Sequence, residues 1–378
     1  MSAAGVRCAV VPPVPVPYRE PLFEALAAGD AVDLRVIYQA AQEPGWDAPA
    51  EWFPTAHSYD AVRLRSWQHA RGGGRTPVVW PRGLERALRD FAPDCVVVWE
   101  YGPAALRALR WCRARRRPLV IFTECTPEIE RVLPRAQVRL HRWFATRAAG
   151  FIAASSAARD RLVAMGASPA AIEVSLQAAD TARFRAAADT RAAAADERGP
   201  LTVLSVGRLV ADKNLGRLLE AFARAGLGPG EAVLEVCGSG PLEAELRAAA
   251  ARLGVEARFR GYVAPAQLPE VYAAAGVFAL VSTLEPFGVA VREAVAAGLP
   301  VICTRAAGAA GDLAIEGRNA LLVDPHSTDE IADALRRLVD DPALRARLAQ
   351  ESVAVDAETG IERSVAAFER AILRAAER

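Results

Sequence analysis

Short runs that are apolar at nearly every position alternate along the chain with stretches that are apolar on one helical face. In the first half this pattern predicts strands at residues 7–11, 34–38, 95–99, 119–123 and 150–153. It predicts helices at 20–28, 84–91, 103–112, 135–146 and 157–165. After residue 200 the alternation becomes very regular. Strands are expected at 201–206, 232–237, 257–260, 277–281 and 300–304, with helices at 215–225, 242–253, 267–275 and 289–297. A last amphipathic helix runs over 361–378, with Val365, Phe368 and Ile372 on one face. Strands bounded by helices in this way define an α/β chain with parallel sheets, and 378 residues are enough for two domains. Residues 185–200, rich in Ala, Asp and Arg, read as the linker, which sets the domains at 1–187 and 199–360. Between 41 and 81 the pattern fails. Five prolines, four tryptophans and a Gly-Gly-Gly run there predict long loops with room for a hairpin, a common place for substrate selection.

Composition narrows the class. With 52% apolar and 24% charged residues each half can build a core, so disorder is excluded. No run of eighteen apolar residues lacks a charge, and no basic segment leads into an apolar run at the start. Neither a spanning helix nor a secretory signal is therefore expected. Six scattered cysteines without a C-x-x-C fit free thiols in the cytoplasm. The four histidines (His57, His69, His141, His326) show no ligand spacing and read as surface or loop residues. The net charge of +1 hides an asymmetry: residues 1–187 carry 25 basic and 18 acidic side chains, the remainder 21 and 27. The first half is therefore the one to meet an anionic partner, and nucleic acid is not expected among them. Arginines at 110–117, and Arg135, Arg139 and Arg142 beside Leu140, Trp143 and Phe144, fit either a peripheral membrane contact or a core-facing stripe with a solvated Arg face.

Three segments of the second half could carry chemistry. In the first, Ser205-Val206-Gly207-Arg208-Leu209 and then Asp212-Lys213-Asn214 join a buried strand to a helix. Two cations beside a helix N-terminus suit a diphosphate, although two solvated surface cations would look alike. Of 46 basic residues only Lys213 is not Arg, which marks this place as one that wants a compact ammonium. The second segment, Cys237-Gly238-Ser239-Gly240-Pro241, lets backbone approach a ligand or simply makes a turn. The third is Glu285-Pro286-Phe287-Gly288-Val289, continuing to Glu293, where the amides opening a helix would face an anion. Carboxylates beside an anion site repel it. They make sense as acceptors of hydroxyl hydrogen bonds from a sugar and a ribose, the plain alternative being a helix-start Glu and a solvated one.

Together with Arg-Phe-Arg-Gly-Tyr-Val at 258–263 and Ala-Gly-Leu-Pro-Val-Ile at 297–302, these segments resemble the retaining glycosyltransferases of family four, which have the GT-B fold. The resemblance is specific over 201–325. It is looser at 14–23 and 179–184. It implies two doubly wound Rossmann-like domains facing a cleft, with the final helix crossing back to the first domain. The first would bind an acceptor hydroxyl or amine on a small molecule, glycan or lipid-linked group, and the second a nucleotide-diphosphate sugar as co-substrate, without other cofactors. Arg208 and Lys213 would neutralise the diphosphate, and Glu285 would hold sugar hydroxyls. Glu293 would hold the ribose, Phe287, Gly288 and Val289 would offer amides, and Val263 would meet the base near Gly238 and Gly240. The leaving diphosphate would help deprotonate the acceptor.

Two departures concern the first half. A Gly-rich loop is replaced by Pro12-Pro13-Val14-Pro15-Val16-Pro17, and a His at a strand end by Thr123-Glu124-Cys125. Glu124 and Glu100 stand at expected strand ends and are candidates for the acceptor, or ordinary loop carboxylates. No Asp-x-Asp occurs, so no catalytic metal is expected. The rival readings are a nucleotide-sugar epimerase on the same fold, a non-catalytic nucleotide-binding subunit and, more distantly, a nicotinamide dehydrogenase, for which the early G-x-G-x-x-G is missing.

Overall fold

Runs such as Val-Val-Val at 96–98 or Val-Ile at 120–121 are buried on both faces, as only a parallel sheet covered by helices on each side requires. The computed structural model describes residues 5–42, 49, 52–69, 78–194, 199–228 and 230–377. The chain divides into two units, Met1–Ala179 with Ile361–Arg378, and Asp180–Gly360.

The first unit contains β1 (Val6–Val11), α1 (Glu20–Ala28), β2 (Val32–Tyr38), β3 (Asp60–Arg63), β4 (Arg65–His69), β5 (Val78–Arg82), α2 (Leu84–Phe91) and β6 (Cys95–Trp99). It continues through α3 (Pro103–Arg115), β7 (Leu119–Thr123), α4 (Pro127–Val132), α5 (Arg135–Ala145), β8 (Gly150–Ala153), α6 (Ser156–Ala164) and β9 (Ile172–Val174). Among the described residues seven strands form one sheet in the order β3-β2-β1-β6-β7-β8-β9. Every pairing in it is parallel. The tryptophan-rich segment does hold a hairpin: β4 and β5 pair antiparallel, with Trp67 opposite Trp80. Trp46 and the Gly-Gly-Gly run lie outside the described residues.

The second unit contains α7 (Thr181–Ala194), β10 (Leu201–Val206), α8 (Leu215–Arg224), β11 (Ala232–Cys237), α9 (Glu243–Leu253), β12 (Ala257–Gly261), α10 (Leu268–Ala273) and β13 (Val277–Leu280). After these come α11 (Val289–Ala296), β14 (Val301–Thr304), β15 (Ala320–Val323), α12 (Thr328–Asp340) and α13 (Pro342–Glu358). Its parallel sheet runs β12-β11-β10-β13-β14-β15. Side chains that mark helix starts do so here by hydrogen bonding: Ser155 accepts from Ala158 N at 3.1 Å, Ser327 from Glu330 N at 3.1 Å and Asp341 from Leu344 N at 2.8 Å.

The boundary falls between residues 179 and 180 rather than at 187, and most of the expected linker is helix. Residues 195–198 of it lie outside the described residues. The helix α7 has no wide apolar stripe. Phe184 anchors it, edge-on to Tyr272 at 5.2 Å, and Arg185 pairs with the buried Asp356. The last helix, α14 (Ile361–Ala376), belongs to the first unit as expected. Phe368 stacks on Trp99 and Phe122 at 5.9 and 5.7 Å, and Ser364 Oγ donates to Leu176 O at 2.9 Å.

Candidate active site

In an open parallel sheet, ligands bind beyond the carboxyl ends of the strands where the strand order reverses. In the second unit that place is between β10 and β13. The loop leaving β10 ends in a short 3-10 turn, Ala211–Lys213, and Asn214 follows in the left-handed region at φ 57°. Asn214 Nδ2 donates to Val281 O at 3.0 Å and to Pro325 O at 2.7 Å, while Thr283 N donates to Asp212 O at 2.9 Å. These bonds lace the loops after β10, β13 and β15 together and aim Lys213. Its Cε lies 3.3 Å from where a Cβ on Gly207 would stand, so a larger residue at 207 would crowd the lysine stem.

Lys213 Nζ forms an ion pair with Glu285 Oε2, which also accepts from Ser282 Oγ at 3.2 Å. Glu285 is 7% exposed. Its backbone is fixed by the neighbouring loop, since Gly308 N donates to Glu285 O at 3.1 Å and Ala309 N to Phe287 O at 2.8 Å. A Cβ on Gly308 would sit 2.1 Å from Pro286 O, so only glycine lets the two loops meet. The structure thus brings Lys213 and Glu285 into contact. Arg208 is exposed on the rim of a small pocket that Lys213 lines together with Ser205, Gly207 and Ser282.

The helix α11 starts at Val289, after Gly288 at φ 99°, as expected. Phe287 is buried, so this stretch offers backbone and not an aromatic face. Glu293, on the second turn, accepts from Tyr272 Oη at 2.7 Å. Burial pushes the Glu293 carboxyl up to about 7, the tyrosine hydrogen bond opposing. Tyr272 is the partner that sequence reasoning missed. It lies on α10, and its contact with Glu293 is made only by the fold.

Gly238 and Gly240 have a packing reason independent of any ligand. A Cβ on Gly238 would fall 1.9 Å from Gly207 O, and one on Gly240 2.5 Å from Leu209 O. Gly207 N donates to Cys237 O at 3.0 Å and Leu209 N to Ser239 O at 2.9 Å, so two strand-end loops lie against each other. Val263 follows β12, beside Gly261, whose carbonyl accepts from Gly238 N at 2.7 Å.

In the first unit the carboxyl ends of β1, β6 and β7 gather a second group. Glu100 sits at φ 56°, an uncommon conformation for a residue with a side chain. Its carboxylate accepts from Glu124 N at 2.6 Å and from Thr123 Oγ1 at 3.0 Å, and burial pushes it up to about 7. Glu124 Oε1 accepts from Arg19 at 2.9 Å and from Gln177 Nε2. The two candidate carboxylates are therefore neighbours, Glu100 turned into the protein and Glu124 paired with Arg19. Arg19 and Gln177 were not foreseen. Two histidines also depart from the surface reading. His57 binds Glu20 at 2.8 Å within a cluster that includes Tyr38 and Tyr59. His141 is buried against Arg161 at 2.8 Å, and desolvation, aided by that guanidinium, lowers it to about 3. The six cysteines are free and buried.

Two family models match the chain, Glycosyltransferase Family 4 over residues 22–183 and Glycosyl transferases group 1 over 188–354. The chain belongs to this family of group 1 and family 4 glycosyltransferases. A D-inositol 3-phosphate glycosyltransferase of Rhodococcus jostii is 36% identical over 200 residues, which cover 50% of this chain and 44% of the relative. The alpha-D-kanosaminyltransferase of Streptomyces kanamyceticus is 27% identical over 250 residues, 64% of this chain and 62% of the relative. The match thus spans less than two thirds of either relative's length. The structure of Anabaena HepE in complex with UDP and glucose superposes with a TM-score of 0.73 at 19% identity, covering 95% of this chain and 97% of that one. Such a likeness shows the two-domain GT-B fold.

Proposed function

We propose that this protein is a retaining glycosyltransferase that uses a nucleotide-diphosphate sugar. The observation that carries the reading is the junction of Lys213 and Glu285 at the strand-order reversal of the second sheet, beside the amides that open α11. An ammonium has three protons, and Glu285 takes one, so Lys213 can hold the carboxylate and a phosphate oxygen together. Arg208 supplies the second cation. As the bond between the sugar C1 and the diphosphate oxygen breaks, negative charge grows on that oxygen, and both cations and the helix amides stabilise it. The acceptor oxygen or nitrogen forms the new bond to C1 on the same face, and its proton passes to the departing diphosphate.

Glu285 positions sugar hydroxyls, and Glu293, oriented by Tyr272, holds the ribose. Val263 and the Gly238 to Gly240 turn border the base. The acceptor belongs to the first unit, near Glu124, Arg19 and Glu100. No divalent metal takes part in this scheme, because two protein cations and a helix N-terminus already serve the diphosphate. The free cysteines support a cytoplasmic setting. Among the described residues no helix is long and apolar enough to cross a membrane.

UDP, which the HepE structure contains, is the first nucleotide to test. Thermal unfolding of the full chain with UDP, GDP, dTDP and ADP should show one base stabilising most. The gain is about 2.7 kcal/mol at a hundredfold excess over Kd. No shift with any of the four would remove the basis for the reading.

A further inference from the structure

Away from the strand ends, α4, α5 and α6 of the first unit enclose a groove of about 670 Å³. Arg135, Arg139 and Arg142 line it from one face of α5, spaced i, i+4 and i+7, and all three are exposed. Arg131 faces them from α4, and Arg161, 2% exposed, from α6. The acids nearby are already engaged: Glu128 with Arg131, Glu130 with Arg161 at 2.7 Å, and Asp160 with Arg159 at 2.7 Å. Arg135, Arg139 and Arg142 pair with no carboxylate among the described residues. Like charges at this spacing repel along a helix, and α5 carries no acidic residue of its own to offset the repulsion. Arg161 Nη1, moreover, is buried without a hydrogen-bond partner.

Glu130 and Asp160, paired with Arg161 and Arg159, also line the groove, and the rest of its wall is apolar. Leu133, Val138 and Met165 line the groove, and Val132 and Val163, on the same two flanking helices, are 55% and 40% exposed. We infer that this groove is a binding site for a phosphate ester whose organic part is apolar. Guanidinium forks suit phosphate oxygens, and the apolar walls suit the body that carries them. A soluble phosphate ester and the headgroup of an anionic lipid offer the same chemistry, so the test needs an arm for each. The site uses no residue of the second unit, and its failure would leave the donor reading untouched.

The experiment compares the full-length wild type with Arg135→Gln/Arg139→Gln/Arg142→Gln and, separately, with Ala164→Glu, which sets a carboxylate on an exposed position of the groove wall. The replaced side chains are exposed, so the unfolding temperature should not fall. Calorimetry with monomeric octyl phosphate forms one arm. Co-sedimentation with phosphatidylcholine vesicles, with and without phosphatidylglycerol, forms the other. Both variants should weaken binding at least about tenfold in whichever arm the wild type binds, and added salt should weaken the wild type. Octyl phosphate binding without sedimentation identifies a soluble ester, and sedimentation only with phosphatidylglycerol identifies a lipid headgroup. Wild type inert in both arms, or variants that bind as well as wild type, would overturn the inference.

Discussion

Both units end their sheets in the same way, with a cation from the loop after the first strand paired to a carboxylate from a strand across the reversal. In the second unit the pair is Lys213 with Glu285, and in the first it is Arg19 with Glu124. The surroundings differ. Lys213 stands among glycines whose missing side chains let backbone loops touch, whereas Arg19 is held over the rings of Tyr18 and Trp99 at 5.2 and 5.1 Å. A glycine-lined end leaves amides and an ammonium for a phosphate. An aromatic-lined end offers flat apolar surface and shape. One end is built from backbone and the other from side chains, and substitutions should separate them.

The largest contrast is expected between Gly238→Ala and Gly102→Ala. The first drives a Cβ into Gly207 O, and backbone cannot swing away. The second meets nothing within 4 Å. Denaturant unfolding should show a loss of about 4 kcal/mol or more at Gly238, or no folded protein, against about 0.5 kcal/mol or less at Gly102. Equal small losses would mean that the loops of the second unit are not close-packed.

Next comes Lys213→Ala, which leaves Glu285 buried beside Ser282 without a counter-charge. Removing one partner of a buried pair costs about 3–5 kcal/mol, and the partial exposure of Lys213 places this case at the lower end. Lys213→Ala/Glu285→Ala should recover most of that stability while restoring no activity. Arg19→Ala should cost less in electrostatics, because Gln177 still donates to Glu124. A double variant no more stable than Lys213→Ala would show that the ion pair is not the source of the loss.

A smaller effect is expected from pH, and here the units should behave alike. Glu293 and Glu100 each have a folded value near 7, above the unfolded carboxylate range, through burial. Such a group holds its proton longer when folded. Each should therefore subtract stability as pH rises from about 4.5 to 7, by about 1–3 kcal/mol, and nothing further above that. Glu293→Gln and Glu100→Gln should each flatten part of the decline in stability measured by urea unfolding from pH 5 to 8. A wild-type profile that rises over this window, or variants with the wild-type slope, would contradict the burial of these carboxyls.

The same contrast explains what could be read from the residues alone. Strands at 95–99, 119–123, 201–206 and 232–237 were legible to the residue, because an apolar run bounded by turn residues has one solution. The helix α7 was not, since Ala and Arg leave no stripe and Phe184 finds its place only against Tyr272. Lys213, Glu285 and Glu293 stood out because each lies in a loop or helix start whose local spelling carries its chemistry. Their supports, Tyr272, Ser282 and Asn214, are ordinary residues until the fold sets them in place. In the first unit Arg19 and Glu124 are 105 residues apart, and neither neighbourhood announces the other. Side-chain sites assembled over such distances leave little trace in local pattern.

The central claim is that one end of the second sheet divides a nucleotide sugar between two carboxylates. Calorimetry of the wild type, Glu285→Gln and Glu293→Gln, each titrated with UDP and with a UDP-sugar, tests it most directly. Losing a charged acceptor for a ligand hydroxyl costs about 1.5–3 kcal/mol. Glu293→Gln should weaken both ligands by at least about tenfold, whereas Glu285→Gln should spare UDP and weaken only the sugar-bearing ligand. Equal losses for UDP in the two variants would contradict the account.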